Sequence, residues 1–253
     1  MKTIKSLILL SAALVVFAGC GKDNYAAPNG SIHGALTDAE TGGPLELSEA
    51  GSNSSVRMLV DDPAKYPAPS PQDLAVKQDG TFSNSLIFAE NYYVFPFNTS
   101  GPWQYVSNDS LKVSIVAHQD AVVNFKVAPF FYITKPTVTN TSGTIYQVNF
   151  TVTKSTVTTV NNDLDAGNNN NLLVLVSSDP TVNESVASNV NGSYYQNQWQ
   201  YTVGTEIYAV PYNATFDFAL MHEPHGTYYV RVAVVGNNSN GHFNYSPTVK
   251  VTL

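Results

Sequence analysis

Apolar and polar residues alternate with a period of two through much of this chain. Leu111, Val113 and Ile115 fall on one side of a segment whose Lys112 and Ser114 fall on the other, and Val123, Phe125 and Val127 repeat the pattern against Asn124 and Lys126. Tyr146, Val148, Phe150 and Val152 alternate with Gln147, Asn149, Thr151 and Thr153, and Tyr228, Val230, Val232 and Val234 share one side of residues 227–235. Successive side chains of an extended strand point to opposite faces, so each segment predicts a strand with one face in a core. Further strands are expected from Ile32, Gly34 and Leu36, over residues 56–60, and over 248–253. Residues 92–97 and 172–176 are nearly unbroken apolar runs, the first read as a buried strand and the second as a fully apolar one. No stripe of helical period stands among these segments.

The punctuation between them is that of turns. Asp38-Ala39-Glu40-Thr41-Gly42-Gly43-Pro44-Leu45 reads as a turn, because glycine supplies positive φ and proline stops pairing. Asp79-Gly80 before Thr81-Phe82 is a hairpin signal. Residues 61–71 carry Pro63, Pro67, Pro69 and Pro71, which forbid a central strand or a helix interior. An exposed loop at one end of a sandwich is expected there. The pattern restarts near residues 129–136, and 161–171 is a low-complexity polar loop. The fold class is therefore all-β, two antiparallel β-sandwich domains in tandem over residues 30–130 and 131–253.

The start of the chain differs in kind. Lys2 and Lys5 precede an apolar run over residues 7–18, too short to cross a hydrocarbon core of about 30 Å as a permanent helix. The run ends in Phe17-Ala18-Gly19-Cys20, which resembles the lipobox of bacterial lipoproteins. The resemblance implies that residues 1–19 are a lipoprotein signal peptide and that Cys20 is acylated. At about 0.8 kcal/mol for each buried CH₂, several acyl chains hold a protein firmly to a membrane. Cys20 is the only cysteine, so no partner within the chain competes for its sulfur. Gly21 and Lys22-Asp23 resemble the sorting signals of outer-membrane, surface-exposed lipoproteins, and residues 20–29 read as a polar tether. The competing reading is an ordinary cleaved secretory signal with a free thiol.

Charge narrows the partners. The net charge of −7 becomes −9 once Lys2 and Lys5 leave with the signal, and there is no basic cluster. An acidic chain of this kind repels phosphate backbones, so nucleic acid is not an expected partner. No second segment is long and apolar enough to span a membrane, which leaves the lipid anchor as the expected membrane contact.

Two resemblances bear on function. Residues 34–45, Asp79-Gly80-Thr81-Phe82 and Tyr92-Tyr93-Val94 resemble the carboxypeptidase-regulatory, or transthyretin-like, sandwich. Residues 173–180, Thr227-Tyr228-Tyr229-Val230-Arg231-Val232 and Ser246-Pro247 resemble a fibronectin type III domain. With the lipobox, Asp23-Asn24-Tyr25, Pro28-Asn29 and Val127-Ala128-Pro129, the chain resembles a family of Bacteroidetes lipoproteins of unknown function found near SusC/SusD-type outer-membrane uptake systems. That resemblance implies an accessory role in capturing polysaccharide, oligosaccharide or related nutrients, and it brings no catalytic residue with it.

Candidate chemistry is sparse. Met221-His222-Glu223-Pro224-His225 lacks the i, i+4 histidine spacing of a zincin, and Pro224 breaks a helix, so a polar hairpin end is the simpler reading. Residues 161–167 resemble a calcium loop but place Ala166 where the sharp turn needs glycine. Asp109-Ser110-Leu111 matches a short O-glycosylation pattern. No nucleophile elbow, phosphate loop or catalytic cysteine is present. Asp120, Glu184, Asp217 and Glu223 are nominal carboxylates for glycoside hydrolysis. No cofactor and no enzymatic activity are expected. Sugars stack on aromatic rings, and Trp103 with Tyr105 in a turn-like stretch, and Trp199 within residues 193–201, are the candidate ligand contacts. Trp103 is expected to be partly exposed. The rival account is a structural spacer or protein-docking module that meets no sugar.

Overall fold

Inward-pointing β-branched and aromatic residues at every second position give sixteen strands and no helix among the described residues. The computed structural model describes residues 27–48, 55–97, 101–106, 110–158, 172–183, 211–217, 226–237 and 241–253. The first sandwich has two four-stranded sheets. One runs in the order β4 (Thr81–Ile87), β1 (Gly30–Asp38), β8 (Asp120–Pro129), β6 (Trp103–Tyr105). The other runs β3 (Gln72–Ala75), β2 (Ser55–Val60), β5 (Asn91–Pro96), β7 (Leu111–Ser114). Ile32, Leu36, Phe82 and Phe125 from the first sheet meet Val56, Met58, Tyr92 and Val94 from the second.

All strand pairings among the described residues are antiparallel but one. β1 and β8 run parallel through eight registered pairs, from Ser31↔Asp120 to Asp38↔Val127. Alternation of apolar residues is the same in either direction, so the pattern alone could not mark this pair. Gly34 makes the approach possible, since a Cβ there would lie 1.6 Å from the carbonyl oxygen of Val123. The Asp79-Gly80 turn also does more than join neighbours. It carries the chain from β3 in one sheet to β4 in the other, with a single bridge between Val76 and Phe82.

The second sandwich sets β9 (Phe131–Ile133), β10 (Thr137–Ser142), β11 (Ile145–Lys154) and β13 (Pro211–Asp217) against β12 (Leu172–Ser177), β14 (Thr227–Val234), β15 (Asn244–Tyr245) and β16 (Val249–Thr252). Val148, Phe150, Val152, Val174, Val176, Val230 and Val232 lie in its core. The apolar run of β12 is explained by burial on both faces. Leu172, Val174 and Val176 enter the main core, while Leu173 and Leu175 join Val182, Ala233 and Tyr245 in a smaller cluster behind it. β5, read as a buried strand, is buried on one face: Tyr92, Val94 and Pro96 point inward, whereas Tyr93 and Phe95 point out and stay accessible.

Polar side chains tie the two sandwiches together. Arg231, on the rear face of β14, is 0% exposed. Its Nε donates to the Ser246 carbonyl at 2.8 Å, Nη1 to the Leu47 carbonyl at 2.7 Å, and Nη2 to Glu46 at 3.1 Å. The guanidinium lies 4.4 Å from the Tyr245 ring centroid. Burial pushes the Glu46 carboxyl above its ordinary pKa, outweighing the opposite pull of Arg231. The predicted turn after β1 supplies a second tie. Asp38 accepts the Tyr132 hydroxyl at 2.8 Å, and Glu40 accepts from the Thr156 hydroxyl at 2.7 Å and the Ser155 hydroxyl at 3.2 Å. Asn244 Nδ2 donates to the Pro102 carbonyl at 3.0 Å, and Gln78 Nε2 to Thr248 Oγ1 at 3.1 Å.

Candidate functional site

Prolines decide where a cavity can form. With four of them, residues 61–71 join neither sheet and stay largely exposed, as the pattern predicts. The loop is held by its own polar groups: Asp62 Oδ1 accepts from the Lys65 amide at 3.0 Å, and the Asp62 carbonyl from the Tyr66 amide at 2.8 Å. Facing it is the turn between β4 and β5. A half-open cleft of about 440 Å³ lies between, with Tyr66, Pro67 and Pro69 on one side, Phe88 and Glu90 on the other, and Val60 and Tyr92 below. That size lies within the range of small-ligand sites.

The two sides are joined by an ion pair between Lys65 Nζ and Glu90. The hydrogen bond to Glu90 raises the Lys65 pKa, so the ammonium stays charged at neutral pH. Lys65 Nζ also lies 4.9 Å from the Tyr66 ring centroid. Below, the Tyr92 hydroxyl donates to the Phe88 carbonyl at 3.1 Å, and burial first of all pushes its pKa up to about 12. Tyr92 is therefore a neutral, fixed part of the floor. Tyr66 is 38% exposed and Phe88 45%. Open rings beside a carboxylate, an ammonium and the Gln72 amide suit an amphipathic, hydroxyl-rich ligand.

The residues singled out in the sequence are elsewhere. Trp103 is 2% exposed and belongs to the first core, against the expected exposure. Pairing of Trp103 with Pro129 turns the indole inward, and Gly101 leaves it room, since a Cβ at Gly101 would lie 2.0 Å from the ring. The indole Nε1 is buried with no hydrogen-bond partner. A ring in that position offers no platform for a ligand. Tyr105 is half-buried and its hydroxyl donates to the Pro96 carbonyl. Cys20, Trp199, Asp109 and the segments 161–167 and 221–225 lie outside the described residues. Of the nominal carboxylates, Asp120 accepts from Ser31 in the first sandwich and Asp217 from Thr144 at 2.6 Å in the second, so the two are not a pair. Glu184 and Glu223 lie outside the described residues. No group of three or more His, Cys, Asp or Glu able to hold a metal occurs among the described residues.

Sequence reading passed over Tyr66 and Phe88. The signal for Tyr66 was present: it stands among prolines that keep the segment out of both sheets, in the loop expected to be exposed. The fold and cleft define an all-β protein of two packed sandwiches with an open aromatic site at one end. Residues 30–128 match the N-terminal domain model of DUF3823, a protein family of unknown function. The chain is also similar to a crystal structure from Bacteroides uniformis described as a "putative carbohydrate binding protein", with TM-score 0.67 and 22% identity over 89% of this chain and 100% of that one. DUF3823 family proteins from Parabacteroides merdae (TM-score 0.65, 21% identity, 90% of this chain and 100% of that one) and Bacteroides ovatus (TM-score 0.63, 21% identity, 89% and 100%) are similar as well. At such identities the likeness is one of fold. No curated protein matches the chain.

Proposed function

We propose that the protein is a non-catalytic glycan-capture lipoprotein, with the cleft between the proline-rich loop and the β4–β5 turn as its binding site. The observation that carries this reading is the pair of accessible rings, Tyr66 and Phe88, on opposite sides of a cleft that also presents Glu90, Lys65 and Gln72. Pyranose rings expose C–H faces that stack on aromatic rings, and hydroxyls that bond to carboxylates, ammonium groups and amides. The Bacteroides uniformis neighbour, described as a "putative carbohydrate binding protein", supports the same ligand class. Acylation at Cys20, attachment to the outer membrane with the protein facing outward, and service to a SusC/SusD-type transporter complete the proposal. They rest on the N-terminal motif and the family resemblance.

The test is affinity electrophoresis of the chain from Gly21 onward through native gels containing galactomannan, arabinoxylan, hydroxyethylcellulose or dextran. At least one polymer should retard the wild type, and Tyr66→Ala or Phe88→Ala should weaken binding about threefold to tenfold, as loss of one ring contact implies. Equal retardation of wild type and both variants would remove the cleft as the site. The polar ties between the sandwiches favour a second reading, a rigid spacer or docking module, and failure of every polymer to retard the wild type would make it the better one.

A further inference from the structure

Building on the cleft reading, we propose that Glu90 is a specificity-determining residue, which makes the cleft select neutral glycans over acidic ones. It does so by holding the Lys65 ammonium that a sugar carboxylate would otherwise claim.

Among the described residues that line the cleft, Lys65 is the only cation and Glu90 the only anion. Both stand on anchored backbone. The Ile115 amide donates to the Glu90 carbonyl at 2.9 Å, which fixes the turn to the edge of the sheet. On the other side, Asp62 takes the Lys65 amide on its carboxylate and the Tyr66 amide on its carbonyl. The two side chains therefore meet from fixed positions. At the root of the same loop the Asp61 carboxylate is held by Lys112, so it leaves Lys65 to Glu90.

The carboxylate is the deeper of the pair, with its side chain 21% exposed against 55% for Lys65. Its field reaches the cleft floor: after burial, the Glu90 charge is the next cause that pushes the Tyr92 hydroxyl up, and Lys65 pulls the other way more weakly. A neutral sugar suits this setting, because a hydroxyl can donate to Glu90 and accept from a remaining N–H of Lys65. A sugar carboxylate has no proton to donate. It would meet an ammonium already neutralised, a carboxylate of its own sign, and a chain whose net charge is −7.

Titration calorimetry at low salt, with three forms of whichever gel polymer retards the wild type, tests the preference. They are the polymer itself, a carboxymethylated form, and the methyl ester of that form, which has similar bulk without the charge. The wild type should bind the ester at least about threefold more tightly than the carboxylate, and high salt should narrow the gap. Glu90→Gln should raise the carboxylate-to-ester affinity ratio about fivefold or more, while weakening the ester through loss of a charged acceptor. Adding Lys65→Gln should cancel that rise. Thermal melts identify any variant that fails to fold, and the wild-type comparison needs no variant. Equal wild-type affinity for carboxylate and ester overturns the preference. So does a ratio unmoved by Glu90→Gln, or a rise that survives Lys65→Gln. In each of these cases, binding of the unmodified polymer that remains sensitive to Tyr66→Ala leaves the cleft reading standing. Absence of binding to any polymer overturns both.

Discussion

Trp103 shows how strongly one small neighbour can redirect a large side chain. Placed between a glycine-proline turn and a glutamine, it has the sequence context of an exposed ring. Yet the bare Cα of Gly101 lets the indole fold back over its own turn and into the core. Its worth is structural. Trp103→Ala should cost about 3–5 kcal/mol of stability, the usual range for deleting a buried Trp or Phe side chain, while glycan retardation of the folded fraction stays unchanged. Urea melts of the two proteins measure the first part and the gels the second. A stability loss below about 1 kcal/mol would mean that the indole is not the packed residue described here.

At the scale of elements, alternation was enough to read β1, β8 and β11, because each has one face in a core and the other in a more polar setting, and β14, whose second face is buried as well, was read from its row of Tyr228, Val230, Val232 and Val234. β5 hid its alternation, because its outward residues are Tyr93 and Phe95 rather than polar ones and the segment reads as an unbroken apolar run. Composition cannot distinguish a ring kept for solvent from a ring kept for a core. β7 shows another limit: Leu111 shares the inward face with Ile115 but is 40% exposed, because the strand is an edge of its sheet. The cleft was half legible. Prolines announced an exposed loop, but the turn at Phe88 and Glu90 that faces it is brought there only by the crossing of the chain between sheets. The prolines have a further role in this account, since a loop that is already stiff loses less freedom when a ligand binds. Pro67→Gly combined with Pro69→Gly should therefore weaken glycan binding by about threefold to tenfold without displacing Tyr92 or the sheets. Titration calorimetry and near-ultraviolet circular dichroism check the two halves, and unchanged affinity would show that loop stiffness is irrelevant.

At the scale of the whole molecule, Arg231 joins the two sandwiches through one fully buried side chain. Three of its hydrogen bonds are divided between Ser246 in its own sandwich and Glu46 and Leu47 in the other. Arg231→Ala leaves two carbonyls and a carboxylate without their donor, and should cost about 3–5 kcal/mol. Scanning calorimetry should show one transition for the wild type and two for the variant, and a single unshifted transition would mean that the Asp38, Glu40 and Asn244 contacts suffice. The orientation of the domains could not be read from the sequence, since it depends on an arginine in a strand whose neighbours are all apolar. The parallel pairing of β1 with β8 has a mechanical consequence. β1 begins at one end of the first sandwich, and β8 leaves at the other, toward the second. In the proposed anchored state, tension between the N-terminus and the second sandwich therefore slides the two strands lengthwise past each other. All eight registered pairs share that load at once instead of parting one by one like a zipper, so a protein moored by its N-terminus and tugged through its far domain resists where it would otherwise peel.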